Sequence, residues 1–307
     1  MPDTDIAIIG AGPAGCAAAI YVTRSGLKPV VFGGAMPGGQ LLLTHEIENF
    51  PGFPEPVAGA ELMERMLKQC KRLGAQVLTD EVAAVDFSKH PLTLESSSGE
   101  TYRAKAVIVA TGAKARWLGI ESEKKFMGRG VSACATCDGF FYRGKEVCVV
   151  GGGDTAVGDA LFLTRFAEKI YLIHRRDALR ASTVLAAKAK KNPKIVSIWN
   201  SAVQEVTGSD YVEGVKLRNV KTGEVSSLAC SGVFVAIGHD PRTKMFLGQL
   251  KLDEAGYIAT DSRMRTSVQG VFAAGDVADH DYQQAVTSVG SGCKAALEAE
   301  RYLQTLP

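Results

Sequence analysis

One pattern occurs twice in this chain and sharply limits what it can fold into. Ile6-Ala7-Ile8-Ile9 runs into Gly10-Ala11-Gly12-Pro13-Ala14-Gly15, and Val147-Cys148-Val149-Val150 runs into Gly151-Gly152-Gly153-Asp154-Thr155-Ala156. The offset of 141 residues, from Gly10 to Gly151, persists beyond the glycines. Tyr21 aligns with Phe162, Thr23-Arg24 with Thr164-Arg165, and Val30-Val31-Phe32 with Tyr171-Leu172-Ile173. Each copy therefore reads as a strand, a glycine loop, an Ala-rich helix and a second strand. The first glycine permits the tight turn, and the second lets backbone approach a pyrophosphate at the helix N-terminus. The third position needs a small residue for close helix–strand packing, and Gly15 and Ala156 both qualify. One glycine pattern is weak; two, each between a strand and a helix, point to two dinucleotide-binding units.

Two further apolar runs, 106–112 and 232–238, each end in glycine and read as strands buried on both faces. Lys114-Ala115-Arg116 and His239-Asp240-Pro241-Arg242 follow them and read as loops that carry the chain between units. Val271-Phe272-Ala273-Ala274-Gly275-Asp276 reads as a last buried strand, returned to the first unit. At 307 residues the chain exceeds one comfortable core. The expected fold class is α/β, with two Rossmann-like dinucleotide-binding domains, the second inserted in the first. Residues 1–115 and 242–307 form one domain and 116–241 the other.

The inserted domain carries Cys134-Ala135-Thr136-Cys137-Asp138. Structural zinc needs four ligands, and there is no second Cys-x-x-Cys; His45, His90, His174, His239 and His280 are scattered. The pair reads as a redox-active dithiol, and no metal is expected. The second copy's second strand ends in His174-Arg175-Arg176, with Arg180 a turn beyond. Carboxylates at such a position bind ribose hydroxyls, whereas arginine forks accept a 2′-phosphate, so this unit is expected to prefer NADP(H). The first copy has Gly33-Gly34-Ala35 there, which assigns no nicotinamide preference. Gly38-Gly39-Gln40-Leu41 and Glu48-Asn49-Phe50-Pro51-Gly52 then suit a flat, extended cofactor.

Net charge is +2, too small a field to draw in nucleic acid. The basic stretch 186–194 reads as a solvated helix end stopped by Pro193. Met1-Pro2-Asp3-Thr4-Asp5 has neither the basic nor the apolar region of a secretory signal, and no apolar run could span a bilayer. Cys16, Cys70, Cys148, Cys230 and Cys293 read as inert thiols. Free thiols at this density fit a reducing, cytoplasmic location.

Taken together, these residues resemble the low-molecular-weight thioredoxin reductases of bacteria, from Gly10 to Tyr302. The most specific pieces are the segment 128–141, which contains the Cys-x-x-Cys, then His174-Arg175-Arg176-Asp177 and Ala273-Ala274-Gly275-Asp276. The resemblance implies FAD in the first domain, NADPH in the second, a homodimer, and thioredoxin as the protein disulfide reduced. Gly10, Gly12, Pro13 and Gly15 would hold the FAD pyrophosphate, with Gly33, Gly39, Leu41 and Val82 along the cofactor. Gln40, Asn49, Ala110, Thr111 and Gly112 would line the flavin. Gly275 and Asp276 would meet the ribityl chain, and Gln283, Gln284 and Ala285 would run beside the ring. Gly151, Gly153, Asp154, Thr155 and Ala156 would hold NADPH, with His174, Arg175, Arg176, Arg180, Ile237 and Gly238. The chain departs from the family at Gln283, where many relatives have arginine. It departs again at Gly158-Asp159, where relatives often carry two glutamates.

By the same resemblance, hydride passes from NADPH to the flavin, which opens the Cys134–Cys137 disulfide. Cys137 faces the flavin, Cys134 attacks the substrate, and Asp138 moves the proton. Phe140, Phe141 and Arg129 would form the docking patch for thioredoxin. The dithiol and the NADPH loop share one domain, yet both need a flavin held in the other. A rotation about 114–116 and 239–242 is therefore expected. The alternatives are a different electron donor such as ferredoxin, a different protein disulfide as acceptor, and a non-catalytic sensor.

Overall fold

The computed structural model describes residues 1–44 and 46–307. The chain divides into two compact units, Met1–Lys114 with Asp240–Pro307, and Ala115–His239.

The first unit opens with β1 (Asp3–Ile9), α1 (Pro13–Arg24) and β2 (Val30–Phe32), then α2 (Gly59–Leu73) and β3 (Gln76–Leu78). β4 (Val82–Asp86), β5 (Leu92–Ser96) and β6 (Thr101–Val109) follow, and β7 (Ala113–Ala115) leads out. The sheet order is β3-β2-β1-β6-β5-β4. β1 is parallel to β2 and β6, whereas β4 and β5 are antiparallel additions. Ile6 and Ile8 of β1 share one core with Ala106 and Ile108 of β6; Ala7 and Ile9 share the other with Val107 and Val109. That period of two, apolar on both faces, is why these runs form central strands.

The second unit contains α3 (Glu121–Phe126), β8 (Val131–Ser132), the short α4 (Ala135–Asp138), β9 (Glu146–Val150) and α5 (Asp154–Leu163). It continues through β10 (Lys169–Ile173), α6 (Thr183–Lys191), β11 (Ile195–Ile198), β12 (Ser201–Gly208), β13 (Val212–Asn219), β14 (Val225–Ala229) and β15 (Gly232–Val235). A parallel sheet, β11-β10-β9-β15-β8, lies between two partners. Val147 and Val149 face Ala156, Val157, Ala160 and Leu163 of α5, a stripe with helical spacing. Cys148 and Val150 face Val203, Val215 and Leu217 of the antiparallel sheet β12-β13-β14.

The chain re-enters the first unit after β16 (His239–Pro241) and ends with β17 (Val271–Ala273) and α7 (Ala285–Leu303). β17 pairs in parallel with Val107–Val109 of β6, beyond the stretch that β5 occupies. α7 packs against α1 so closely that a Cβ on Gly292 would sit 2.2 Å from the Ala14 carbonyl oxygen.

The connecting segments correct the sequence reading. Lys114-Ala115 and His239-Asp240-Pro241 read as loops, but β7 and β16 pair as a two-stranded ribbon. Each segment is too short and too polar to show strand periodicity, and its pairing partner lies more than a hundred residues away in the chain.

Candidate active site

The glycine loop of the first unit is shaped by contacts that only glycine tolerates. Gly10 has φ +113°, and a Cβ there would lie 2.2 Å from the Ala110 carbonyl oxygen; one on Gly15 would lie 1.9 Å from that of Gly10. A Cβ on Gly12 would meet nothing within 4 Å. No side chain caps α1, and Pro13 opens it, so no capping side chain accepts its first N–H groups. Gly39 approaches the Gly12 Cα, and Gly275 the Ala14 methyl. The Gly33 N–H bonds to Leu78 O and that of Gly34 to Asp80 O, two residues before Val82. These contacts bring the expected pyrophosphate residues, Gly39 and the ends of β6 and β17 to one edge of the sheet.

Beside that edge, the Asn49 side-chain amide donates to Gln284 Oε1 at 3.4 Å. Gln284 also caps α7 reciprocally with Thr287, which sets the start of Ala285. Gln283 is held at φ +50° and reaches the Tyr257 hydroxyl at 3.3 Å. The Thr111 hydroxyl donates to the Arg242 carbonyl at 2.9 Å. Gln40 and Leu41 lie in a 3-10 turn, Gly39–Leu43. Burial pushes the Asp276 carboxyl up to about 6, partly opposed by a 3.0 Å hydrogen bond from the Ser288 hydroxyl. A desolvated carboxylate with spare acceptor capacity suits a polyhydroxyl chain. Ser288 was missed in the sequence, since nothing local marks it.

The second unit repeats the design. Gly151 has φ +154°, and a Cβ there would lie 2.3 Å from the Ala236 carbonyl oxygen; a Cβ on Gly153 would meet nothing within 4 Å. Thr155 is exposed and α5 again lacks a side-chain cap. The strand end lies against this loop: the His174 ring occupies the space a Gly152 side chain would need, 2.4 Å from a Cβ. Burial lowers the His174 pKa, assisted by Arg180, Arg176 and Arg175, so the ring stays neutral. Its buried Nε2 has no hydrogen-bond partner. Asp177 is engaged by Lys221 at 2.9 Å, and among the described residues no carboxylate pairs with Arg175, Arg176 or Arg180, all exposed. Ile237 and Gly238 follow β15, and the Gly238 carbonyl accepts the Arg116 N–H.

The redox turn lies in the same unit. Cys134 and Cys137 form a disulfide, with Cα atoms 5.3 Å apart. Cys134 is the N-cap of α4, its sulfur accepting the Cys137 N–H at 3.2 Å and lying 3.3 Å from the Thr136 hydroxyl. Ser132, buried one strand earlier, accepts the Cys134 N–H at 3.0 Å. Burial raises the Asp138 carboxyl above its usual range, and Ser132 opposes this through a hydrogen bond. Asp138 does not cap the following 3-10 turn Gly139–Tyr142, which weighs against a purely capping role. Gly139 packs on Leu163 and Phe162 of α5, where a Cβ would find only 2.9 Å. Phe140 and Phe141 are 53% and 37% exposed and meet edge to face, with Arg143 over Phe140. Arg129 is exposed, its backbone tied to Phe126 and Val212.

Two glycine-shaped nucleotide loops and a Cys-x-x-Cys disulfide define a nucleotide-dependent disulfide oxidoreductase. A family model described as pyridine nucleotide-disulphide oxidoreductase matches residues 4–292, and the chain belongs to that family. Within it, the chain is similar to the thioredoxin reductase of Rickettsia conorii, 53% identical over 304 residues that cover 98% of each chain. The structure of the Streptococcus pyogenes thioredoxin reductase, 41% identical, covers 99% of both chains with a TM-score of 0.95. That of Lactococcus lactis in the FR conformation, also 41% identical, covers 99% of this chain and 100% of its own with a TM-score of 0.66. The family's cofactors are FAD and NADPH. The open helix starts over Gly12 and Gly153, the buried Asp276 and the arginine set fit those two groups.

Proposed function

We propose that the chain reduces the disulfide of thioredoxin, with FAD held in the first unit and NADPH in the second. The observation that carries this reading is the Cys134–Cys137 disulfide, in the same unit as Arg175 and Arg176. When bound beside the Gly153 and Gly12 loops respectively, NADPH would supply a hydride and FAD the two-electron relay needed to open this disulfide. The sulfur–sulfur bond breaks to give two thiols. The Cys137 N–H that already faces the Cys134 sulfur stabilises a thiolate there. Cys134 attacks one sulfur of the substrate disulfide and forms a mixed disulfide. Asp138 gives a proton to the departing thiolate, a role its raised pKa suits. Cys137 then attacks Cys134, releases the substrate as a dithiol and restores the starting disulfide.

Phe140, Phe141 and Arg129 are the proposed docking surface, aromatic and cationic beside a reactive sulfur. The flavin serves both the nicotinamide and the disulfide, so the second unit turns about the 113–115 and 239–241 ribbon between half-reactions. Two relatives of equal identity superpose on this chain with TM-scores of 0.95 and 0.66, and that spread supports such a rearrangement within the family. Tyr21, Val286 and Leu297, exposed apolar residues on α1 and α7, support a homodimer. The buried free thiols support a cytoplasmic location, and no described helix is long and apolar enough to cross a membrane.

The test follows NADPH oxidation in the presence of candidate disulfide proteins. Thioredoxin-dependent turnover is expected. Cys134→Ser should abolish it while leaving anaerobic bleaching of the flavin by NADPH intact. Bleaching by reduced ferredoxin but not by NADPH would overturn the choice of donor, and turnover only with another disulfide protein would overturn the choice of acceptor.

A further inference from the structure

The arginine segment does not stand alone at the end of β10. The N–H groups of Arg180 and Ala181 both donate to the Gly152 carbonyl, at 2.7 and 3.1 Å. The next N–H, that of Ser182, donates to Asp154 Oδ1 at 2.6 Å. Three consecutive amides thus dock on the glycine loop, and Ser182 is the N-cap of α6. On the other side, the nine-tenths-buried His174 ring lies over Gly152, its Nε2 unpartnered. The loop that faces a pyrophosphate and the loop that carries the arginines are therefore one clamped body. The last contact in that clamp comes from a side chain.

This explains an electrostatic oddity. Asp154 is the first residue of α5 and so places a carboxylate beside a site for an anion. Its Oδ1 is turned onto the Ser182 N–H instead. We propose that Asp154 is a positioning residue for nucleotide specificity: by anchoring Ser182, it holds Arg180 where the 2′-phosphate of NADPH is read. The inference rests on the assignment of NADPH to the second unit. The acceptor atom, not the charge, performs the task.

The test measures dissociation constants of NADP⁺ and NAD⁺ for the FAD-loaded protein, together with melting temperatures, for wild type, Asp154→Ala and Asp154→Asn. Loss of the Ser182 anchor should weaken NADP⁺ by about tenfold in Asp154→Ala. NAD⁺, which lacks the phosphate, should change little. Asp154→Asn keeps an acceptor and should restore NADP⁺ binding. Equal weakening of both nucleotides would overturn the inference, as would unchanged binding in Asp154→Ala. If Asp154→Asn matched Asp154→Ala, the residue would serve only the helix dipole and the inference would fail. A wild type that held both nucleotides equally would instead overturn the NADPH assignment, and the inference with it.

Discussion

The backbone N–H of Cys137 donates to the sulfur of Cys134 at 3.2 Å, so the first cysteine of the motif is capped by the second. Because it uses the backbone of one residue and the sulfur of the other, the cap is expected to persist when the disulfide is reduced. It favours Cys134 over Cys137 as the thiolate once the disulfide opens. In the reduced protein, Cys134 is expected to react with iodoacetamide faster than Cys137 at neutral pH. Peptide mapping after brief alkylation checks this, and preferential labelling of Cys137 would refute it.

Asp138→Asn should leave flavin reduction by NADPH intact and lower disulfide turnover by about a hundredfold, the usual contribution of a placed acid–base group. Burial raises the Asp138 carboxyl, so the wild type keeps its proton to a higher pH than an exposed aspartate does. Turnover should fall on the alkaline side as that proton is lost. The asparagine variant should lack this limb, and a profile identical to wild type would rule Asp138 out as the acid.

Asp159 on α5 gives a stability prediction. Burial pushes its carboxyl up to about 7, against 3.8 in the unfolded chain. Between these values the folded state binds the proton more tightly than the unfolded state, so stability falls as pH rises from about 4 to about 7. The full cost at neutral pH is up to about 4 kcal/mol. Asp159→Asn should flatten this slope and raise the midpoint of urea unfolding at pH 7.5 more than at pH 4. Equal effects at both pH values would contradict the assignment.

Two helical glycines should respond in opposite directions to a side chain. Gly292 of α7 has no room, with the Ala14 carbonyl 2.2 Å from any Cβ, and Gly292→Val should destabilise the protein by about 1–3 kcal/mol or more. Gly158 of α5 has nothing within 4 Å of its Cβ position. Gly158→Ala should stabilise by about 0.4–1 kcal/mol, through helix propensity and a less flexible unfolded chain. Thermal melts of the two variants decide the signs.

The sequence made the repeated unit legible because its physics is local. Val30–Phe32 forms β2 as expected, and Gly232–Val235 forms β15, since a continuous apolar run between polar flanks can be little else. The antiparallel sheet β12-β13-β14 did not stand out: its outer strand, Val225–Ala229, is largely exposed and carries no strong alternation. At the site, Cys134, Cys137 and the arginines announced themselves by type and spacing. Ser132 and Ser288 did not, because a serine becomes a partner of Asp138 or Asp276 only after the chain has turned. Asp154 was visible as part of a loop motif, but its bond to Ser182 links residues brought together by the fold.

The insertion of one unit within the other also sets an order of assembly on the ribosome. β17 must seat beside β6, and α7 against α1, yet both lie beyond residue 270. The inserted unit, Ala115–His239, has all its strands in hand long before that. The unit encoded first is therefore completed last. Its nascent sheet waits with the β17 position beside Val107–Val109 unfilled while the disulfide-bearing unit closes downstream.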